Sequence, residues 1–345
     1  MKRMFIKHLL ILVTVIFMSA TISTMAHAKK EKTFVLNFNH LFPEVSWMHQ
    51  DVVIPWKKMV EEKSQGRIKV NLYPAAALAK PGTMYDAVKT GTIDVCLEPG
   101  PYYWGRFPMS EATQLPFLGA HSSLSATLAW MDLYKKYPQL QKEYAETHLL
   151  WLFSQGPGQL FTNKPINKME DMKGIIVRGP GAQGDFVKAV GGSPVSMPAS
   201  ETYLALSKGT LDATTFAGEA VRTWRLHEVT KYAIIGDFYV QWFFVAMNKA
   251  KYNSMPEDLQ AVIDQCSGLT GAELTARAWD KADQEGLRIA KENGVEFIKL
   301  SQEQLDKWEK ACQPLTQQWI EEMTKKGYPA VDFINDAKQL IDQYN

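Results

Sequence analysis

Twice along this chain, short runs rich in β-branched and aromatic residues alternate with segments whose apolar residues recur at helical spacing. The first series opens with a strand over residues 33–38. An amphipathic helix follows through Trp56, Met59 and Val60, stopped at Gly66, and then an alternating strand over 67–73. A short helix at 84–90 and a strand at 93–97 complete it. The second series has strands at 149–153, 174–178, 194–197 and 211–216. Between them lie a glycine-rich turn (Gly179, Gly181, Gly184), a helix through Phe186 and Val190, and another over 199–208. Strands alternating with helices predict βαβ units and mainly parallel sheets, an α/β fold. The second series has the makings of an α/β lobe of its own. The remainder, from Pro256, reads as largely helical. A long helix is expected over 259–293 with a break near Gly268–Gly271, then a strand at 295–300 and a helix capped by Ser301 that runs past Trp308 and Leu315 to Met323.

The N-terminus reads as an address. Lys2, Arg3 and Lys7 surround the start of an apolar run from Leu9 to Met18, and Ala26-His27-Ala28 ends a stretch of small and polar residues. A basic start, an apolar run too short to span a bilayer comfortably and an A-x-A site predict an export signal cleaved after Ala28 and a periplasmic protein. Taking those three basic residues from 38 leaves 35 against 37 acidic ones, a formal charge of −2. Such a balance gives no support to nucleic-acid or membrane-surface binding. The chain has length enough for two domains, each with its own core.

Catalytic signatures are missing. There is no G-x-S-x-G elbow, H-E-x-x-H or P-loop, and no acidic residue at the following strand end supports a dinucleotide reading of the glycines after Arg178. The histidines beyond the leader (His40, His49, His121, His148, His227) are scattered; His40, at a strand end, is the one placed near a cleft. No enzyme activity, cofactor or metal site is therefore expected. Cys96, Cys266 and Cys312 form no C-x-x-C pair. Export permits a disulfide, with Cys266 and Cys312 the pair to test and three buried thiols the alternative.

A succession of motifs then carries a resemblance. Val60-Glu-Glu-Lys-Ser-Gln-Gly-Arg-Ile-Lys-Val-Asn-Leu-Tyr-Pro, Val88-Lys-Thr-Gly-Thr-Ile-Asp-Val and Leu115-Pro-Phe-Leu come first. Asp171-Met-Lys-Gly-Ile-Ile-Val-Arg is next, before the long run from Gly192 to Asp212, Glu228-Val-Thr-Lys-Tyr, Met247-Asn-Lys and Ser254-Met-Pro. In this order they resemble the DctP-type substrate-binding subunits of tripartite ATP-independent periplasmic (TRAP) transporters. The resemblance implies a two-lobed, Venus-flytrap solute-binding protein with crossover strands and a long hinge-spanning helix. It implies a membrane permease as partner and a small organic anion as ligand, and we expect a monomer. One lobe would comprise residues 29–155, about 244–283 and the C-terminal helices to 345; the other, 156–243 and about 284–310.

Arg178 stands at the end of a predicted strand before the glycine-rich turn, where an arginine offers two parallel N–H donors to a carboxylate. The family's principal carboxylate-binding arginine maps onto it. A surface arginine paired with Asp185 or Glu201 is the alternative. Where many relatives carry a second arginine near Gly158, this sequence has none. Thr215-Phe216 stands where keto-acid binders place a metal-coordinating Glu-Trp pair. These departures suit one carboxylate on an apolar or aromatic body better than a dicarboxylate or a sugar acid. Phe216 and Trp104 are the leading candidates to line the site, with Tyr239, Trp242, Glu98 and His40 as further ones. A small sulfonate is the competing ligand, and presentation to a sensor kinase the competing role.

Overall fold

The structure, a computed structural model, describes residues 32–345; the expected signal and its cleavage point lie outside the described residues. The strands form two sheets. The first has the order β2-β1-β3-β10-β4, with β1 at Phe34–His40, β2 at Ile68–Tyr73, β3 at Val95–Pro99, β4 at His148–Ser154 and β10 at Trp242–Met247. The second has the order β11-β9-β5-β8-β6-β7. Its strands are β5 Gln159–Thr162, β6 Ile176–Arg178, β7 Ser193–Val195, β8 Ala213–Phe216, β9 Tyr232–Ile235 and β11 Glu296–Lys299.

Each sheet contains an antiparallel intruder. β10 runs against β3 and β4, and β5 runs against β8 and β9. Both are where the chain crosses between lobes: β4 leads directly into β5, and β9 leads through residues 236–241 into β10. The two crossings hydrogen-bond to each other, Gln155 N to the Gln241 carbonyl at 2.8 Å and Phe238 N to the Gly158 carbonyl at 3.0 Å. The hinge is thus a short two-stranded ribbon.

The third link is the helix Gly268–Glu292, about 38 Å long at 1.5 Å per residue. It is separated from the helix Glu257–Cys266 at Ser267, whose backbone is extended, and Gly268, at φ +54°. Gly271, Ala272, Thr275, Ala276, Trp279, Ala282, Gly286 and Ala290 form its buried stripe. Small residues let it lie close on both lobes. At Gly286 a Cβ would stand 2.0 Å from the Gly218 carbonyl of the second lobe, so no larger residue fits without movement.

The first lobe is filled by aromatics, among them Phe38 against Trp56, and Trp242 and Phe244 against Phe107 and Tyr144. In the second, Phe186, Phe238 and Trp308 pack on one side of the sheet. The helix Ser123–Lys136, capped by Ser122 accepting from Ser125 N, and the last helix, Ala330–Tyr344, were not legible in the sequence; they pack on each other. All three cysteines are free and buried, so the disulfide expectation resolves to thiols. The apolar segment 175–177 alternates: Ile175 and Val177 turn inward and Ile176 is exposed.

Candidate functional site

β6 ends at Arg178, paired with Thr214 on β8 and Val195 on β7. The residue is 3% exposed. Its guanidinium carbon stands 4.4 Å from the centroid of the Phe216 ring, and Nε donates to the Met197 carbonyl at 3.3 Å. Burial pushes its pKa down, while Tyr102 and Tyr239 push the other way. Among the described residues no carboxylate forms an ion pair with it; Asp185 pairs with Lys188 at 3.8 Å. An arginine removed from water without a counter-charge is costly, by several kcal/mol after relaxation. An anion placed against its two terminal nitrogens would offset that cost.

Arg178 opens on a cavity of about 30 Å³ between the lobes. From the first lobe come Leu41, Phe42, Pro99 and Tyr102; from the second Ala199, Phe216, Glu219 and Trp224. The crossings add Gln155 and Gln241, β10 adds Phe243, and the long helix adds Trp279. Both lobes, both crossing segments and the long helix therefore meet here. Gln155 Nε2 is a buried donor with no partner among the described residues. The Tyr239 hydroxyl is buried next to Thr215 and Gln155 without completing a hydrogen bond to either, and burial raises its pKa to about 12. Buried groups in this condition call for an explanation, and a bound polar ligand is one.

Glu219 is buried too. Its Oε2 accepts from Trp47 Nε1 of the first lobe at 2.9 Å and from Thr223 Oγ1 at 2.6 Å, and burial raises its pKa. A wider groove of about 680 Å³ lies outside, between Pro101, Tyr102 and Trp104 on one lobe and Gly179, Gly181, Ser196 and Met197 on the other. Tyr102 lines both spaces. Its hydroxyl accepts from Ala199 N across the cleft at 3.2 Å, so it stands between the groove and the cavity.

Residues 38–322 match the model of the bacterial extracellular solute-binding protein family 7, DctP. The chain belongs to the DctP family. It is a solute-binding protein of the transport class, not an enzyme. Solved relatives share its two-lobed fold. A TRAP solute-binding protein from a marine metagenome, in complex with 3-hydroxybenzoate, is 30% identical with a TM-score of 0.86, covering 91% of this chain and 99% of that one. One from Rhodoferax ferrireducens, with copurified benzoate, is 29% identical with a TM-score of 0.85, over 90% and 98%. One from Bordetella bronchiseptica, with (R)- and (S)-mandelate, is 28% identical with a TM-score of 0.85, over 90% and 99%.

Of the residues singled out in the sequence, the fold of this DctP protein brings Arg178 and Phe216 into the cavity wall and places Tyr239 beside Arg178. Four do not reach it. Trp104 is half exposed on the outer groove. Trp242 is turned into the first lobe, so close to Gly100 that a Cβ there would overlap the indole. Glu98 faces inward, accepting from Gly82 N and, at 2.5 Å, from the Tyr103 hydroxyl; burial raises its pKa to about 8. His40 is buried with Nε2 2.9 Å from His49 Nδ1, and its pKa falls to about 3 through burial and the neighbouring histidine.

Sequence reasoning missed Phe42, Gln155, Gln241, Trp279 and the cavity-lining role of Glu219; nothing in their local patterns marks them. Thr215 Oγ1 is spent on the Arg178 carbonyl and Gln183 Oε1, both at 3.2 Å. Gly179, Gly181 and Gly184 do stand at G-x-G-x-x-G spacing. Packing accounts for two of them: a Cβ at Gly184 would lie 2.9 Å from the Gly179 carbonyl, and one at Gly181 3.1 Å from the Trp104 ring.

Proposed function

We propose that this DctP protein binds a small aromatic monocarboxylate in the periplasm and delivers it to a TRAP permease, with Arg178 holding the carboxylate. The observation that carries this is a buried arginine that has no ion-pair partner among the described residues, stacked on Phe216 and facing an aromatic-walled cavity. One such cation suits one carboxylate. Phe42, Phe216, Phe243 and Trp279 suit the flat faces of a ring. The benzoate, hydroxybenzoate and mandelate complexes of its relatives support the same class.

The cavity has room for about one or two water molecules. Admitting a ring requires the lobes to part, which breaks the cross-lobe contacts of Tyr102 with Ala199 and of Trp47 with Glu219. We further propose a monomer beginning at Lys29; intact mass of the exported protein checks the latter.

A thermal-shift screen tests the ligand class. Benzoate-type acids at 100 times their dissociation constant should add about 2.7 kcal/mol, roughly 4 °C for a chain of this size. A response to dicarboxylates, sugar acids or aryl sulfonates with none to aromatic carboxylates would overturn the reading.

A further inference from the structure

We infer that Glu219 recognises a hydroxyl group at the end of the ligand away from its carboxylate, so that the cavity favours hydroxylated aromatic acids over unsubstituted ones. This rests on the aromatic-acid reading of the same cavity. Glu219 is 4% exposed and lines the cavity together with Arg178. Both of its side-chain hydrogen bonds fall on one oxygen: Trp47 Nε1 and Thr223 Oγ1 donate to Oε2. Among the described residues Oε1 accepts none.

Oε1 is the carboxyl oxygen left open to a donor, and a ligand that displaces water from it must supply one in return, which a hydroxyl does. Phe216 connects the two polar ends. Its ring lies under the guanidinium of Arg178, and Glu219 follows three residues later in the chain. A ring held by its carboxylate at Arg178 and flanked by Phe216 and Phe243 can present a substituent to Glu219.

A hydroxyl suits the carboxyl in either protonation state, donating to the ion or accepting from the acid. An ammonium suits only the ion. It would also share the cavity with the Arg178 charge, which disfavours a second cation. The competing explanation is that Glu219 merely ties Trp47 of the first lobe to the second when the cleft is closed. That role gives no discrimination among ligands.

Calorimetric titration of the exported protein separates the two, using benzoate, 3-hydroxybenzoate, 4-hydroxybenzoate and 3-(aminomethyl)benzoate. The expected result is that at least one hydroxybenzoate binds about tenfold or more tightly than benzoate, the size of one net hydrogen bond to a charged or buried partner. That ratio should fall to near one in Glu219→Leu and be partly retained in Glu219→Gln, whatever happens to the absolute affinities. Equal affinities for benzoate and both hydroxybenzoates, tighter binding of the aminomethyl acid, or an unchanged ratio in Glu219→Leu overturns the inference. If Glu219→Leu does not fold, the wild-type ratio and the glutamine variant decide. Failure of the wild type to bind any of the four acids overturns the aromatic-acid reading instead.

Discussion

Arg178→Met should leave the ligand-free protein about as stable as before while removing ligand binding. Among the described residues the side chain donates a long hydrogen bond of 3.3 Å to the Met197 carbonyl, lies near the Tyr102 hydroxyl and makes a ring contact at 4.4 Å to Phe216. Losing these costs about 1.5 kcal/mol for a weak charged hydrogen bond and about 0.5–2 kcal/mol for the cation–π contact. Against this stands the relief of a buried, unpaired charge, worth several kcal/mol. Met fills much of the same volume, so the net change in urea-unfolding free energy should lie within about 1 kcal/mol of zero or be positive. Binding behaves differently. Arg178→Lys keeps a charge but loses the planar fork. Truncating a buried charged pair costs about 2–5 kcal/mol, or roughly 30-fold to several thousand-fold in dissociation constant. Calorimetry with benzoate or a hydroxybenzoate reads the second number, and urea titration the first. Ligand affinity within about threefold of wild type in Arg178→Lys, or a loss of more than about 3 kcal/mol in ligand-free Arg178→Met, would refute the argument. Either would mean that the guanidinium serves the fold.

Gly286→Ala should destabilise by about 1–3 kcal/mol, because the new methyl would meet the Gly218 carbonyl 2.0 Å away; unfolding midpoints check it, and a change under about 0.5 kcal/mol would mean the helix moves freely there. Glu98 titrates near 8 in the folded protein, above its ordinary value, so folding favours its protonated form. Its stabilising contribution is present below about pH 4.5 and lost as pH rises through 8. Glu98→Gln should therefore gain on the wild type between pH 5 and pH 9 in paired urea titrations; parallel curves would count against it. His40 has the opposite sign: its folded value near 3 lies below the ordinary 6.5, so its contribution is present above pH 6.5 and lost as pH falls toward 3. His40→Asn should flatten that acid limb, measured by the same titrations.

Local pattern settles a good deal in this protein. Period-two and period-3.6 apolar spacing placed most of the strands and helices. An arginine at the end of a β-strand, just before a glycine turn, left two readings open, a cleft residue or a surface ion pair, and it was the family resemblance that favoured the first. Phe216 was singled out by the same resemblance, as a departure from what relatives carry at that position. What local pattern leaves open is which face of a strand meets the cleft. Alternation shows that Trp242 and Phe244 share one side of β10 and Phe243 the other, but only the packed structure assigns the first pair to the Phe107–Tyr144 core and the second side to the cavity. Glu98 looked equally available at the end of β3 until Gly82 and Tyr103 turned out to claim it. Phe42, Trp279 and Glu219 are far apart in the chain and meet only through the crossing strands and the long helix. Side-chain periodicity is a property of neighbours in sequence and can be read from it. The assembly of a cavity from two lobes depends on how the connections between them set those lobes against each other, and that is a property of the whole tertiary fold.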